Sequence, residues 1–233
     1  MRRLLLAATA TLALAAGSAA AASYNAVFDF SAASNPSGPW SYGYGTPGST
    51  FTALTDSTTA MNGIAGLQGW YSAGAPFGVP TVLANTNPFD IALIPGVFLP
   101  ISSLQMHPGD SDDTAAILRF TAPAAGLYTY VLEVGSIDRN TSGIGVSTYV
   151  NAAPLMARTV IDFFSFVSNG GTLALQAGDV LSLAVDRDGN YLSDSTYVRM
   201  RLDSAPLVTV PEPASFAILA LGLGCLGMVR RRA

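Results

Sequence analysis

Arg119-Phe120-Thr121-Ala122-Pro123-Ala124-Ala125-Gly126-Leu127-Tyr128 is the stretch that decides the fold. It reads as a strand, a Pro/Gly turn and a return strand, and so as a hairpin. Segments with strand signals lie on both sides of it. Residues 25–30 alternate apolar and polar side chains, and 97–106 and 115–121 follow. Downstream come 127–134, 144–150, 160–167, 172–176, 180–185 and 196–202. Pro and Gly clusters separate them, and helical periodicity is almost absent. Many short strands with turn residues between them indicate an all-β, antiparallel β-sandwich or barrel. A jelly roll fits best, with an immunoglobulin-like sandwich as the alternative. Residues 31–95 are richer in Gly, Ser and aromatics, and read as long loops wrapped around the strands.

The two ends differ from this middle. Met1-Arg2-Arg3, a largely apolar run over 4–16 and a stretch of small residues have the three-part layout of a secretory signal peptide. Cleavage fits after Ala20 or after Ala22, which sets a signal peptide at 1–22 and a β-sandwich domain at 23–209. At the other end, Val210-Pro211-Glu212-Pro213 precedes an apolar run over 216–229 and then Arg230-Arg231-Arg232-Ala233. The arginines favour the cytoplasmic side, so the run crosses with its N-terminal side facing outward. It is short against the roughly 20 residues a spanning helix needs, which makes it a weak, temporary inner-membrane anchor.

This tail, residues 210–233, resembles a PEP-CTERM sorting signal: a Pro-Glu-Pro triplet (Pro211, Glu212, Pro213), a short transmembrane helix and a basic end (Arg230, Arg231, Arg232). The leader implies export through the Sec translocon and removal by signal peptidase, and the resemblance of the tail implies its recognition and cleavage by an exosortase. It places the protein on the surface, or in the extracellular matrix, of a Gram-negative-type bacterium. It says nothing of what the middle domain does.

Charge narrows the options. Between the two tags there are six Arg against fourteen Asp and Glu, and no Lys, a balance near −8. A nucleic-acid partner is excluded, because phosphate backbones require clustered cations. The only cysteine, Cys225, lies in the tail, so the domain has neither disulfides nor a thiol nucleophile. His107, the only histidine, cannot build a His-based zinc site, and its place at a strand end suits a structural hydrogen bond. There is no G-x-S-x-G elbow. Glu133 is the only Glu before the tail, and no pattern nominates a carboxylate pair for glycoside hydrolysis. The chain therefore reads as a non-enzyme.

Two constellations remain. Trp40, Tyr42 and Tyr44 alternate with small residues in a glycine-rich stretch, and Trp70, Tyr71 and Phe77 form a second aromatic cluster. Aromatic faces stack on the C–H faces of sugar rings, so these are glycan-binding candidates. Their alternative role is to cover the core. Asp186, Asp188 and Asn190 alternate around Gly189, a pattern that can wrap oxygen ligands around a structural calcium ion. Asp110, Asp112 and Asp113 offer further carboxylates, and ordinary acidic turns are the alternative.

The turns at 104–109, 119–128, 175–180 and 186–190, with the segment Asn35-Pro36-Ser37-Gly38-Pro39-Trp40-Ser41-Tyr42-Gly43-Tyr44, resemble jelly-roll domains carried by bacterial exported and PEP-CTERM proteins. Those domains look like carbohydrate-binding modules. The resemblance implies a non-catalytic module that associates with extracellular polysaccharide. A structural or adhesion matrix protein acting through protein contacts or self-association is the alternative.

Overall fold

A computed structural model of the chain describes residues 21–206. Most of the expected signal peptide, and the whole expected sorting tail with its transmembrane run, lie outside the described residues.

The strands are β1 (Ala22–Asn25), β2 (Trp40–Gly45), β3 (Thr52–Ala53), β4 (Asp56–Thr58), β5 (Leu67–Tyr71), β6 (Thr81–Asn85), β7 (Ile91–Ile94) and β8 (Val97–Leu99). They continue with β9 (Leu104–His107), β10 (Ala115–Thr121), β11 (Gly126–Ser136), β12 (Ile144–Val150), β13 (Ala153–Ile161), β14 (Phe166–Leu175), β15 (Val180–Arg187) and β16 (Thr196–Pro206). One sheet runs β14-β11-β16-β9-β6-β5-β4, with β1 also paired to β16. The other runs β13-β12-β15-β10-β2-β3, and β7-β8 form a separate hairpin. The pairings within both sheets are antiparallel.

Strand periodicity of two sends alternate side chains between the sheets. Trp40 and Tyr42 of β2, Leu118 and Phe120 of β10, and Leu181, Leu183 and Val185 of β15 meet residues of the opposite sheet in one core. The opposite sheet contributes Tyr128, Tyr130, Leu132 and Val134 of β11 and Val198, Met200 and Leu202 of β16. Each large apolar side chain buried there stabilises the fold by about 1.5–3 kcal/mol. The fold is an antiparallel β-sandwich of jelly-roll type, as the strand pattern implies.

Residues 119–128 correct the expected hairpin. The strands β10 and β11 do not pair: β10 lies between β15 and β2, and β11 between β14 and β16. The Pro/Gly turn is an arch from one sheet to the other. Phe120 and Tyr128 face each other across the core, ring centroids 5.7 Å apart at 63°. The turn at 175–180 is a second arch, from β14 to β15. The two arches are tied: Ala122 N–H donates to the Asp179 carbonyl at 2.8 Å, and Gly178 N–H to the Ala122 carbonyl at 2.8 Å.

Residues 31–95 are also corrected, since they contain β2 to β7 rather than only long loops. Outward-facing Leu83 of β6, with Leu67, meets Ile91 of β7 and Leu99 of β8 in a second, smaller core. The β7–β8 hairpin thus lies on the outer face of the longer sheet. Residues 160–167 hold a turn rather than one strand, with Phe164 at φ 58 between β13 and β14.

Candidate functional site

The aromatic candidates are largely core residues. Trp40 and Tyr42 are fully buried, and Trp70 nearly so. Trp40 packs edge-on against Phe120 at 5.2 Å, and its indole N–H donates to Asp29 Oδ2 at 3.1 Å. Tyr42 packs on Phe30 at 4.7 Å, and burial, then the charge of Asp29, pushes its phenol far above the usual range. Trp70 N–H donates to the Ser31 carbonyl at 2.8 Å. Tyr44 is half-buried against the same core, and Tyr71 is half-buried at the end of β5. The expected stacking loop is therefore corrected. In β2 the alternation of Trp40, Tyr42 and Tyr44 with small residues is strand periodicity, and it turns all three rings inward.

The expected calcium ligands are corrected as well. Arg158 lies across them: its Nε donates to Asp186 Oδ1 at 2.8 Å and its Nη2 to Asp188 Oδ1 at 2.9 Å. A guanidinium supplies the positive charge that a calcium ion would supply, so these residues do not fit the ion. Gly145 makes this possible, since a Cβ there would fall 2.0 Å from Asp186 Oδ1 and 2.5 Å from Arg158 Nε. Asn190 instead donates to Ser142 Oγ at 2.9 Å and accepts from Leu192 N–H at 2.9 Å. Asp112 pairs with Arg187 at 3.0 Å. Among the described residues no group of three or more His, Cys, Asp or Glu side chains is placed to hold a metal ion.

A cleft of about 450 Å³ opens on the outer face of the longer sheet. Its floor is Thr81 of β6 with Gln105 and His107 of β9, and Asp138 and Ser195 line it from neighbouring loops. Its rim carries Phe77, Ile94, Tyr191 and Leu192. Phe77 is 83% exposed and held at φ 58, a backbone state that bulky residues seldom adopt outside constrained sites. Ile94 and Leu192 are each 53% exposed. Large apolar groups are thus held in water around a cleft that Val79, Leu83 and Leu93 also line.

The floor offers defined hydrogen-bonding groups. His107 Nδ1 donates to the Pro108 carbonyl at 2.8 Å, and burial pushes the imidazole pKa down, so the ring is neutral and Nε2 is an acceptor. The structural bond expected of His107 at a strand end is present, and the ring also meets Tyr191 edge-on at 6.5 Å. Thr81 Oγ1 donates to Gln105 Oε1 at 3.3 Å, which leaves the Gln105 amide N–H groups as donors. Asp138 is buried with its Oδ1 taking the Asn140 N–H at 3.0 Å. Beside it, Asp194 is fully buried. Burial, partly offset by the Thr141 hydroxyl at 2.9 Å and reinforced by Asp138, pushes its carboxyl up to about 7.

Of the cleft, the sequence had singled out Phe77 and His107, each for a different role. Tyr191 follows the acidic turn at 186–190 directly, so a tyrosine one residue beyond a Gly-Asn turn was the available signal. Gln105, Asp138 and Thr81 carry no local signal. The pairing of β6 with β9, Thr81 opposite His107, brings Thr81 and Gln105 together, and Asp138 joins them from the loop after β11.

Residues 209–232 match the PEP-CTERM protein-sorting motif. No curated protein matches the chain. Among solved structures the chain is similar to CBM51 from Clostridium perfringens GH95 in complex with methyl-galactose, at 12% identity and a TM-score of 0.39, over 78% of this chain and 99% of that one. It is similar to a family 35 carbohydrate binding module from Clostridium thermocellum at 13% identity and a TM-score of 0.31, over 50% and 88% of the two chains. It is also similar to the CBM22-1 xylan-binding domain from Paenibacillus barcinonensis Xyn10C, at 11% identity and a TM-score of 0.29, over 45% and 72%. Past the last described strand the chain carries the PEP-CTERM motif, which indicates an exported protein sorted by an exosortase to the cell surface.

Proposed function

We propose that the sandwich is a non-catalytic module that associates with extracellular polysaccharide through the cleft on its longer sheet. The observation that carries this reading is Phe77: an exposed ring in a left-handed backbone, on the rim of a floor made of Gln105, His107 and Asp138. Sugar rings need both elements, an apolar face to stack on and polar groups for the hydroxyls. Export through the Sec translocon and signal peptidase, transient anchoring in the inner membrane and exosortase cleavage would deliver the module to the polysaccharide matrix. Modest single-site affinity would be raised by many copies on one surface.

The test is retention of the exported protein on a panel of insoluble and soluble polysaccharides, beside its Phe77→Ala variant. Retention by one polymer that is lost in the variant supports the assignment. Retention that survives the substitution removes the cleft from it.

A second reading, self-association within a surface matrix, is favoured by Val131, Phe164 and Phe166. These are 58%, 81% and 67% exposed on or beside β11 and β14. It predicts assembly of the protein in sedimentation without any glycan, and a monomer at high concentration counts against it.

A further inference from the structure

Arg119 occupies an unusual position for a cation in an acidic domain. Four of the six arginines between the tags, Arg158, Arg187, Arg199 and Arg201, pair with carboxylates. Arg119 makes no salt bridge among the described residues, and its Nε is buried without a hydrogen-bond partner there. Burial alone pushes its pKa down. A half-buried charge that lacks a counter-ion is costly, and carboxylates outnumber cations in this domain, so an internal partner was abundant in composition.

The surroundings form a built site on the opposite side of the molecule from the cleft. On β10, Leu118 and Phe120 face the core, so Arg119 points outward from the shorter sheet, opposite Ser182 of β15 and Ser41 of β2. Its guanidinium stacks on Phe51, Cζ 4.0 Å from the ring centroid. Phe51 can lie over β2 because Gly43 has no side chain: a Cβ there would sit 2.5 Å from the Phe51 ring. Arg119 also lines a groove of about 230 Å³ with Tyr149, Asn151, Ala152 and Ser182. Gly48, at φ +71, lies flat against the Tyr149 ring, where a Cβ would come within 2.5 Å. Two glycines thus make room for the two rings, and Arg119 stacks on Phe51 and lines the groove with Tyr149.

We infer that this groove binds an anionic group of an acidic polysaccharide, a uronic carboxylate or a sulfate, with Arg119 as the charged contact and Tyr149 as the stacking wall. The fork of a guanidinium matches two oxygens of either group. The site is distinct from the cleft and requires nothing of it, so it would stand even if the cleft binds no glycan.

The test is affinity electrophoresis of the exported protein in gels containing polygalacturonate, dextran sulfate or neutral dextran. Wild type, Arg119→Gln, Ala152→Asp and Phe77→Ala are run together. Ala152 is exposed on the groove, so a carboxylate there repels an anion without touching the core, and it carries the test if thermal melting shows that Arg119→Gln fails to fold. The expected result is retardation by at least one acidic polymer that weakens roughly tenfold or more in Arg119→Gln, weakens in Ala152→Asp and persists in Phe77→Ala. Polygalacturonate alone identifies a carboxylate site, and dextran sulfate alone a sulfate site. Equal retardation of all variants, retardation by dextran only, or none by either acidic polymer overturns the assignment.

Discussion

Ala22, at the head of β1, pairs with Ser204, close to the end of β16. Its N–H donates to Ser204 Oγ at 3.0 Å, and that hydroxyl donates back to the Ala22 carbonyl at 3.3 Å. The chain therefore enters and leaves the sandwich side by side. The cleft lies at the other end of β16, where Ser195 lines it just before Thr196. Eleven strand residues separate the two poles, roughly 35 Å at the usual strand rise.

The same pairing leads us to predict which of the two expected leader cleavage sites is used. A cut after Ala20 keeps β1 whole, whereas a cut after Ala22 removes its first residue and both bonds to Ser204. The exported protein should begin at Ala21, which N-terminal sequencing or intact mass reads directly. A mature chain beginning at Ser23 would contradict this.

Phe77 and Trp40 should separate binding from stability. Phe77→Ala removes an exposed ring and should shift stability by no more than about 0.5 kcal/mol while abolishing polysaccharide retention. Trp40→Ala removes a fully buried ring and its bond to Asp29, and should cost about 3–5 kcal/mol in chemical denaturation. A stable Trp40→Ala protein would contradict the packing described.

The carboxyl of Asp194 makes stability fall as pH rises. Its folded pKa, about 7, lies above the ordinary value of 3.8, so between these the native state holds a proton that the unfolded state has released. The contribution is fully present below about pH 4 and is lost as pH climbs through 7. Asp194→Asn, which cannot ionise, should raise the thermal midpoint at pH 8.5 and change it little at about pH 3.5, where the carboxyl is largely protonated in both states. Equal effects at both pH values would show that the carboxyl is not protonated in the folded protein.

The Arg158 bridge should replace any need for calcium. Gly145→Ala drives a methyl into the contact between Arg158 and Asp186 and should cost about 1–3 kcal/mol. That cost should shrink in an Arg158→Ala background, as a double-mutant cycle would show. EDTA should leave the thermal midpoint of the wild type unchanged, and a drop of several degrees would return these carboxylates to a metal.

How much of this was legible in the sequence depends on the range of the signal. Strand periodicity over residues 115–121 and 144–150 marks β10 and β12 to the residue, because alternation is local. Residues 119–128 resemble a hairpin equally well, because a Pro/Gly turn is the same whether its strands pair or face each other across a core. Trp40, Tyr42 and Tyr44 misled for a related reason: alternation with Gly and Ser looks like a flexible loop but is the pattern of a strand burying one face. Arg158 reaches Asp186 and Asp188 from a different strand, so the acidic turn alone looked like a cation site. The cleft was the least legible feature, since Phe77, Gln105, Asp138 and Tyr191 come from four separate segments.

The central claim is that the cleft rimmed by Phe77 and Tyr191 holds polysaccharide. Its most direct measurement is the dissociation constant of the exported protein for the polymer that retains it, taken for wild type, Phe77→Ala and Tyr191→Ala, each confirmed folded by thermal melting. The account predicts at least about tenfold weaker binding in both variants, the loss expected when a stacking ring is removed at roughly 1–3 kcal/mol. Wild-type affinity in both folded variants would contradict it.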